Sequence, residues 1–273
     1  MEDELQFETL TASGLLQREN DRLYVQRVPK VTGRSVTGRT EVTHMAEGSS
    51  MKAAGRRAGL AYLVLDVLST AGYTTLTGLL SGNSEMLLAR LASNQTPLTL
   101  ALVSSALGFA AWIVLGILLY RLMGSAGRIS GLFMLIFAVA GTAMNMIALS
   151  QLLPLVSSAT SDMAVGTLAP IVQSYKHLLQ LAQVFSGLWL FPFGWLVLRS
   201  HVAPRLLGVC LIFGGLFWLL QFALAFEPWL DRLTVYRVAS AATGIPGVVG
   251  GEFGMCLWLL IKGGSEPRMI IAD

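Results

Sequence analysis

Polar and apolar residues alternate along this chain in long blocks, far longer than the short periods that mark an amphipathic strand or helix. After a polar stretch of fifty residues come six apolar runs of about 20 residues or more, approximately 57–80, 98–122, 129–152, 177–199, 205–226 and 240–262. Each run is long enough, as a helix, to cross a hydrocarbon core of about 30 Å. The pattern predicts an all-α fold, a polytopic membrane bundle of six transmembrane helices over residues 51–266. A polar N-terminal tail, 1–50, precedes it and a short tail, 267–273, follows.

Composition supports the same solvent. Apolar residues make up 54% of the chain and charged ones 13%, against roughly 25% charged in a soluble domain. The net charge of +3 conceals an asymmetry, because the first fifty residues hold six Lys/Arg and eight Asp/Glu, so the membrane part is more basic than the total. Lys52, Arg56, Arg57, Arg121, Arg128, Arg199, Arg205, Lys262 and Arg268 flank one set of helix ends. Only Arg90, Lys176, Arg232 and Arg237 lie on the other. The positive-inside rule makes the first set cytoplasmic, with both termini inside. A basic balance of this kind fixes orientation in a bilayer and gives no nucleic-acid footprint.

In the tail, V-T-G-R occurs twice, from Val31 and from Val36. Without strand and helix context it reads as a solvated, unstructured segment before it reads as a phosphate-contacting loop. Met45 and Met51 are alternative starts, and the run beyond Gly59 is longer than the apolar region of a cleaved signal. Between the third and fourth runs, Met163, Ala164, Val165, Leu168, Ile171 and Val172 suit one side of a short interfacial helix, either a connector or a lid.

Candidate chemistry is confined to a few residues. Two carboxylic acids lie inside apolar runs, Asp66 in the first and Glu252 in the sixth. A charge at the bilayer centre costs about 2.5–3.5 kcal/mol, which makes each acid a candidate site. At 1.5 Å per residue, Asp66 lies about 13 Å in from Arg57 and Glu252 about 15 Å in from Lys262. No Lys, Arg or His shares that level, so unless a basic residue such as Arg121 reaches inward, the acids are expected to be protonated, hydrogen-bonded to each other or to neutral groups, or paired with a transported cation. Tyr62, Asp66, Ser69, Thr70, Tyr73 and Thr77 form one polar stripe at helical spacing, which must face protein or water. His177, Gln180, Gln183 and Ser186 form another, followed by Pro192, which leaves the Leu188 carbonyl without a helical donor.

The same count puts Tyr73, Asn145, Gln183 and Gln221 at about 24–26 Å, a polar layer beyond the acids. It reads as the lining of a pocket or as interhelical hydrogen bonding. In the sixth run, Gly247, Gly250, Gly251 and Gly254 share an arc suited to close helix packing, and Glu252 points away from it. Pro246 marks a candidate kink or unwound turn. Cys210 and Cys256 have no metal or redox spacing, the three histidines fall at separate levels, and no established catalytic motif is present. No cofactor or metal is therefore expected.

The stretches "RRAGLAYLVLD", "LLYRLM", "VFSGLWLFPFGWLVLRSHVAPRLLGVCLIFGGLFWLL" and "GEFGMCLWLLIKG" resemble a bacterial family of six-helix integral membrane proteins, domain of unknown function 4386. The resemblance covers about residues 55–263. It implies an inner (cytoplasmic) membrane location and places Glu252 and Lys262 on the family pattern. Asp66 departs from that pattern, where an apolar residue stands, so the resemblance implies no shared role for the Asp66–Glu252 pair. No activity comes with it.

Transport or sensing of a small solute or proton through the intramembrane acids is the leading functional reading, with the lipid bilayer as the constant partner. A structural or assembly role, with Glu252 as an interhelical hydrogen-bond partner, is the alternative. An intramembrane enzyme comes third, since no nucleophile, base and orienting group fall together.

The charge asymmetry makes a direct prediction. Reporters fused after Pro228 and after Asp273 should lie on opposite sides of the membrane, with the C-terminus cytoplasmic; the same side for both would contradict six spans.

Overall fold

The computed structural model describes residues 37–82, 84–156, 165–226 and 234–263. The chain divides into two units, Met1–Met45 and Ala46–Asp273. In the first, the described residues from Thr37 onward are helical. Every regular element among the described residues is a helix or a helical turn.

In chain order the helices are α1 (Thr37–Leu79), α2 (Ser84–Ser93), α3 (Gln95–Met123), α4 (Arg128–Ser150), α5 (Val165–Leu188), α6 (Leu190–Ser200), α7 (Arg205–Phe226) and α8 (Thr234–Gly244). A π-helical segment, Ile245–Phe253, and α9 (Gly254–Lys262) complete the last of them. Five stretches are long and apolar enough to cross a membrane: Gln95–Ala126, Arg128–Leu155, Gly166–Ser200, Arg205–Ala223 and Thr234–Lys262. α1 is not one of the five. Its length is ample, but Asp66 and the hydroxyls of Ser69, Thr70, Thr74, Thr75 and Thr77 make it the least apolar of the long helices.

Several boundaries differ from those read in the sequence, for identifiable reasons. α1 begins at Thr37, inside the segment expected to be unstructured, where Met45, Ala46, Met51, Ala53 and Ala54 are strong helix formers. The V-T-G-R repeat lies at the edge of the described residues, with only its last part inside α1. The fourth span begins about a dozen residues early. Leu168, Ile171 and Val172, assigned to a separate surface helix, form the first turns of α5, with Leu168 and Val172 buried. Met163 and Ala164 lie outside the described residues.

The short helix α2 was not anticipated at all. Leu87 and Leu91 anchor it in the core, while Arg90 Nη1 donates to the Gly78 and Ser81 carbonyls at 2.8 and 3.0 Å. A cation thus satisfies carbonyls at the end of α1, where the helix leaves them without intrahelical donors.

Two helices are broken inside the apolar layer. Trp189 separates α5 from α6, three residues before Pro192, whose ring nitrogen cannot donate to the Leu188 carbonyl. In the last span the chain widens into π geometry from Ile245 to Phe253, and the Gly254 N–H reaches the Val249 carbonyl, five residues back. Pro246 opens this segment and Gly247, Gly250 and Gly251 lie within it, residues that weaken an ordinary α-helix. Glu252 sits near its end.

Two clusters of buried side chains fill the bundle. One, toward the Lys262 end, joins Tyr62, Trp112, Leu119, Phe193, Met255 and Leu259 with their neighbours. Its centre is aromatic: Trp189 lies 5.3 Å from Phe193, 5.5 Å from Trp112 and 6.3 Å from Tyr62, between ring centroids. The other gathers Leu76, Leu91, Leu98, Leu152, Leu155 and Leu168 at the opposite end.

Small residues set the helix spacing. The glycine face of the last span lies on α7: a Cβ at Gly247 would collide with the backbone of Gly214, and one at Gly251 would come 2.8 Å from the Leu211 nitrogen. Backbones in lipid approach this closely only where side chains are absent. Gly247→Ala should therefore force α7 and the π segment apart and cost about 1–3 kcal/mol. Gly78→Ala, with nothing within 4 Å of the added Cβ, should leave the detergent melting temperature within error of wild type or raise it. Equal melting temperatures for the two variants would contradict this packing.

Candidate functional site

The site is assembled by two helices that run past each other in opposite directions. α1 meets α9 at Gly55 and Gly59: a Cβ at Gly55 would collide with the Gly263 carbonyl, and one at Gly59 would come 2.7 Å from the Leu260 nitrogen. The Cys256 thiol donates to the Gly59 carbonyl across the same contact, at 3.7 Å. Moving away from this contact, Asp66 is seven residues from Gly59 and Glu252 eight residues from Leu260, about 10 and 12 Å along their helices. The glycine contact therefore brings the two acids to one level. On its other side α1 is held by α3, where Ser104 Oγ donates to the Leu68 carbonyl at 2.8 Å and Gly108 admits the Ser69 backbone.

Beyond the glycine contact the bundle encloses a cavity of about 440 Å³. Asp66 and Glu252 both line it, together with Thr70 of the α1 stripe and Tyr73, Asn145 and Gln183 from the polar layer. The remaining residues read as polar lining lie elsewhere. Tyr62 is fully buried below the cavity, within electrostatic reach of both carboxyls and Cys256. Gln180 is not part of the wall, and Gln221 donates instead to Ser240 Oγ at 3.1 Å, lining a separate groove between α7 and α8. From the second stripe, Ser186 joins Gln183 in the wall, while His177 bonds Gln173 at 2.7 Å.

The glycine arc of Gly247, Gly250, Gly251 and Gly254 is turned to α7, where their neighbours are Gly214, Cys210, Leu211 and Leu207. Glu252 faces the cavity instead, and its Oε1 accepts a hydrogen bond from Trp218 Nε1 of α7 at 3.0 Å. Asp66 has no such partner: its Oδ2 is buried without a hydrogen bond. So are Gln183 Oε1, the Tyr62 hydroxyl and Trp112 Nε1. Buried polar atoms normally find partners. Four of the unpartnered atoms among the described residues lie in or beside this one cavity. No Lys, Arg or His contributes to the described wall, and no group of three metal-ligating side chains occurs among the described residues.

Trp112, Trp189 and Trp218 also line the cavity, and the sequence reading passed over all three. A signal was present. Each lies well inside its apolar run, away from the membrane interfaces where tryptophan is usually placed, and a buried indole N–H needs an acceptor. Trp218 found Glu252.

The family model described as Domain of unknown function (DUF4386) matches residues 57–263. The chain belongs to this family. Neither the curated proteins nor the solved structures include a match to it. Both acids, all three indoles and the broken helices fall within the DUF4386 domain of this chain.

Proposed function

We propose that this DUF4386 protein is a bacterial inner-membrane protein that moves or senses a small solute or proton, with Asp66 and Glu252 as the groups that engage it. The observation that carries this reading is the cavity itself, which joins two acids from different helices to a common space inside an apolar bundle. Keeping two carboxyls at such a level is costly, and packing alone would be served by apolar residues.

In this reading α1 is a sixth span. It is tied to α9 and α3 by interlocking backbone contacts, and its apolar side chains Leu60, Leu63, Val64 and Val67 are exposed. With six spans and the basic residues distributed as they are, both termini are cytoplasmic. The broken elements then have a use. A helix interrupted at Trp189 and a π segment carrying Glu252 are points where a bundle changes shape at low cost, and π segments concentrate at functional sites.

The alternative is a structural role, favoured by one observation: the Trp218–Glu252 hydrogen bond joins two helices as interhelical glue would. It leaves Asp66 without an account.

Reconstitution in liposomes separates the two. Flux of protons and of small organic and inorganic ions, followed under imposed gradients, should exceed that of protein-free liposomes for wild type and fall at least tenfold for Glu252→Gln. Equal fluxes in protein-free, wild-type and Glu252→Gln liposomes, with folded protein in the latter two, would contradict transport and leave sensing or the structural reading.

A further inference from the structure

The chemistry of the cavity wall is more specific than "small solute". Its two ionisable groups are both acids, and of the buried unpartnered atoms in its wall Asp66 Oδ2 and Gln183 Oε1 are hydrogen-bond acceptors and Trp112 Nε1 is a donor. A ligand that completes the two acceptors brings N–H donors, and an acid beside one of them suits a positive head. Two carboxyls without a balancing cation in the described wall favour a cationic head over an anionic one.

The rest of the wall is apolar and aromatic. Trp112, Trp189 and Trp218 present indoles, the best ring for a nearby ammonium, alongside Phe109, Leu179 and Val248. Trp112 is only 4% exposed and its N–H has no acceptor. Its benzo edge lies against Gly141 of α4, which turns the N–H edge the other way. A volume of about 440 Å³ lies within the range of small organic ligand sites, roughly 300–1,000 Å³, and is far larger than a bare ion or a proton needs.

The position of the opening supplies a second, independent observation. Of the wall residues, Thr70 and Tyr73 on α1 and Phe253 on the π segment are exposed, Tyr73 by 51% and Phe253 by 48%. These exposed residues stand on the two helices that are clamped together at Gly55 and Gly59. Around them Val67 and Val249 are exposed, and so are Thr74 and Thr75, whose hydroxyls donate to the Thr70 and Ala71 carbonyls of α1. At the other end of the bundle a plug of buried leucines, including Leu87, Leu91 and Leu168, fills the space. The exposed part of the wall thus lies on α1 and the π segment, and an opening between them would face sideways, toward the bilayer.

We propose that the cavity binds a small amphiphilic amine that enters sideways from the bilayer, its ammonium held by Asp66 and Glu252 and its apolar body against the indoles. The proposal rests on the transport or sensing reading for its site, and names the class of compound that site takes. An amphiphile already concentrated in the membrane has no need of an aqueous entrance. The unpaired Asp66 oxygen is its first contact inside the mouth, and Glu252, anchored by Trp218, is its second.

Three probes with one body and different heads make the test: 4-phenylbutylamine, the neutral 4-phenylbutan-1-ol and the anionic 4-phenylbutyrate. Binding is read from tryptophan fluorescence of the full chain in phosphatidylcholine nanodiscs, after subtraction of partitioning into empty nanodiscs. The amine should give a saturable change, with the alcohol and the carboxylate at least tenfold weaker. Glu252→Gln and Asp66→Asn should each weaken the amine at least tenfold while leaving the alcohol unchanged. Thr70→Phe, at the exposed rim and remote from the packed core, should slow amine association several-fold. Equal binding of amine and alcohol, undiminished amine binding in both acid variants, or the absence of any saturable change would overturn the proposal. Saturable amine binding without any flux in liposomes would sustain the ligand and count against transport. Proton flux lost in Glu252→Gln, without amine binding, would sustain transport and overturn the amine.

Discussion

The cost of burying a carboxyl among apolar side chains governs the arrangement of this protein. Asp66 and Glu252 must each face polar partners or an internal space, and that requirement fixes the rotation of both helices. For α1 it turns the stripe of Asp66, Thr70 and Tyr73 inward to the cavity and leaves Leu60, Leu63 and Val67 on the surface. For the last span it turns Glu252 to the cavity, where the Trp218 indole of α7 reaches it, while the glycines of that span pack on the α7 backbone. The two rotations meet at a single volume.

The glycines then determine how close the two helices come, and where they part. Contacts at Gly55 and Gly59 hold α1 and α9 backbone against backbone at one end. On the far side of that clamp the π segment begins to run back from Phe253, and the side chains of Asp66 and Glu252 replace glycine between the helices. A tight contact followed by bulky polar residues makes a wedge. The cavity is the space inside it, with Trp189 of the aromatic group in its wall. Packing and the cavity therefore depend on the same few residues: closing the wedge would improve packing and remove the cavity.

Much of this was legible in the sequence because it follows from periodicity and rise. Counting residues inward from Arg57 and Lys262 put Asp66 and Glu252 at one level, and the arc of Gly247, Gly250, Gly251 and Gly254 separated a packing face from the acid. What was not legible depends on tertiary partners. The π geometry of Ile245–Phe253 changes the hydrogen-bond ladder without changing composition. Gln221 matches the polar layer in depth, but its neighbour is Ser240, a pairing set by the approach of α8 to α7. The short helix α2 is held by Arg90 reaching back to the end of α1, a contact between residues twelve apart that no local pattern announces. The earlier start of α5 was hidden because its first turns carry Pro170 and scattered polar residues, and burial of Leu168 and Val172 outweighs that local preference.

The central claim is that α1 and the last span converge on one cavity with Asp66 and Glu252 facing it together. The most direct test is paired-cysteine cross-linking in native membranes, in a chain where Cys210 is replaced by serine and Cys256 by alanine. With Asp66→Cys and Glu252→Cys combined, a short bifunctional methanethiosulfonate should join the two within one chain. The control pair, Asp66→Cys with Gly250→Cys, places the second thiol on the face turned to α7 and should remain unlinked. Cross-linking of the control pair in preference to the Asp66 and Glu252 positions would show the last span rotated the other way, and would contradict this account.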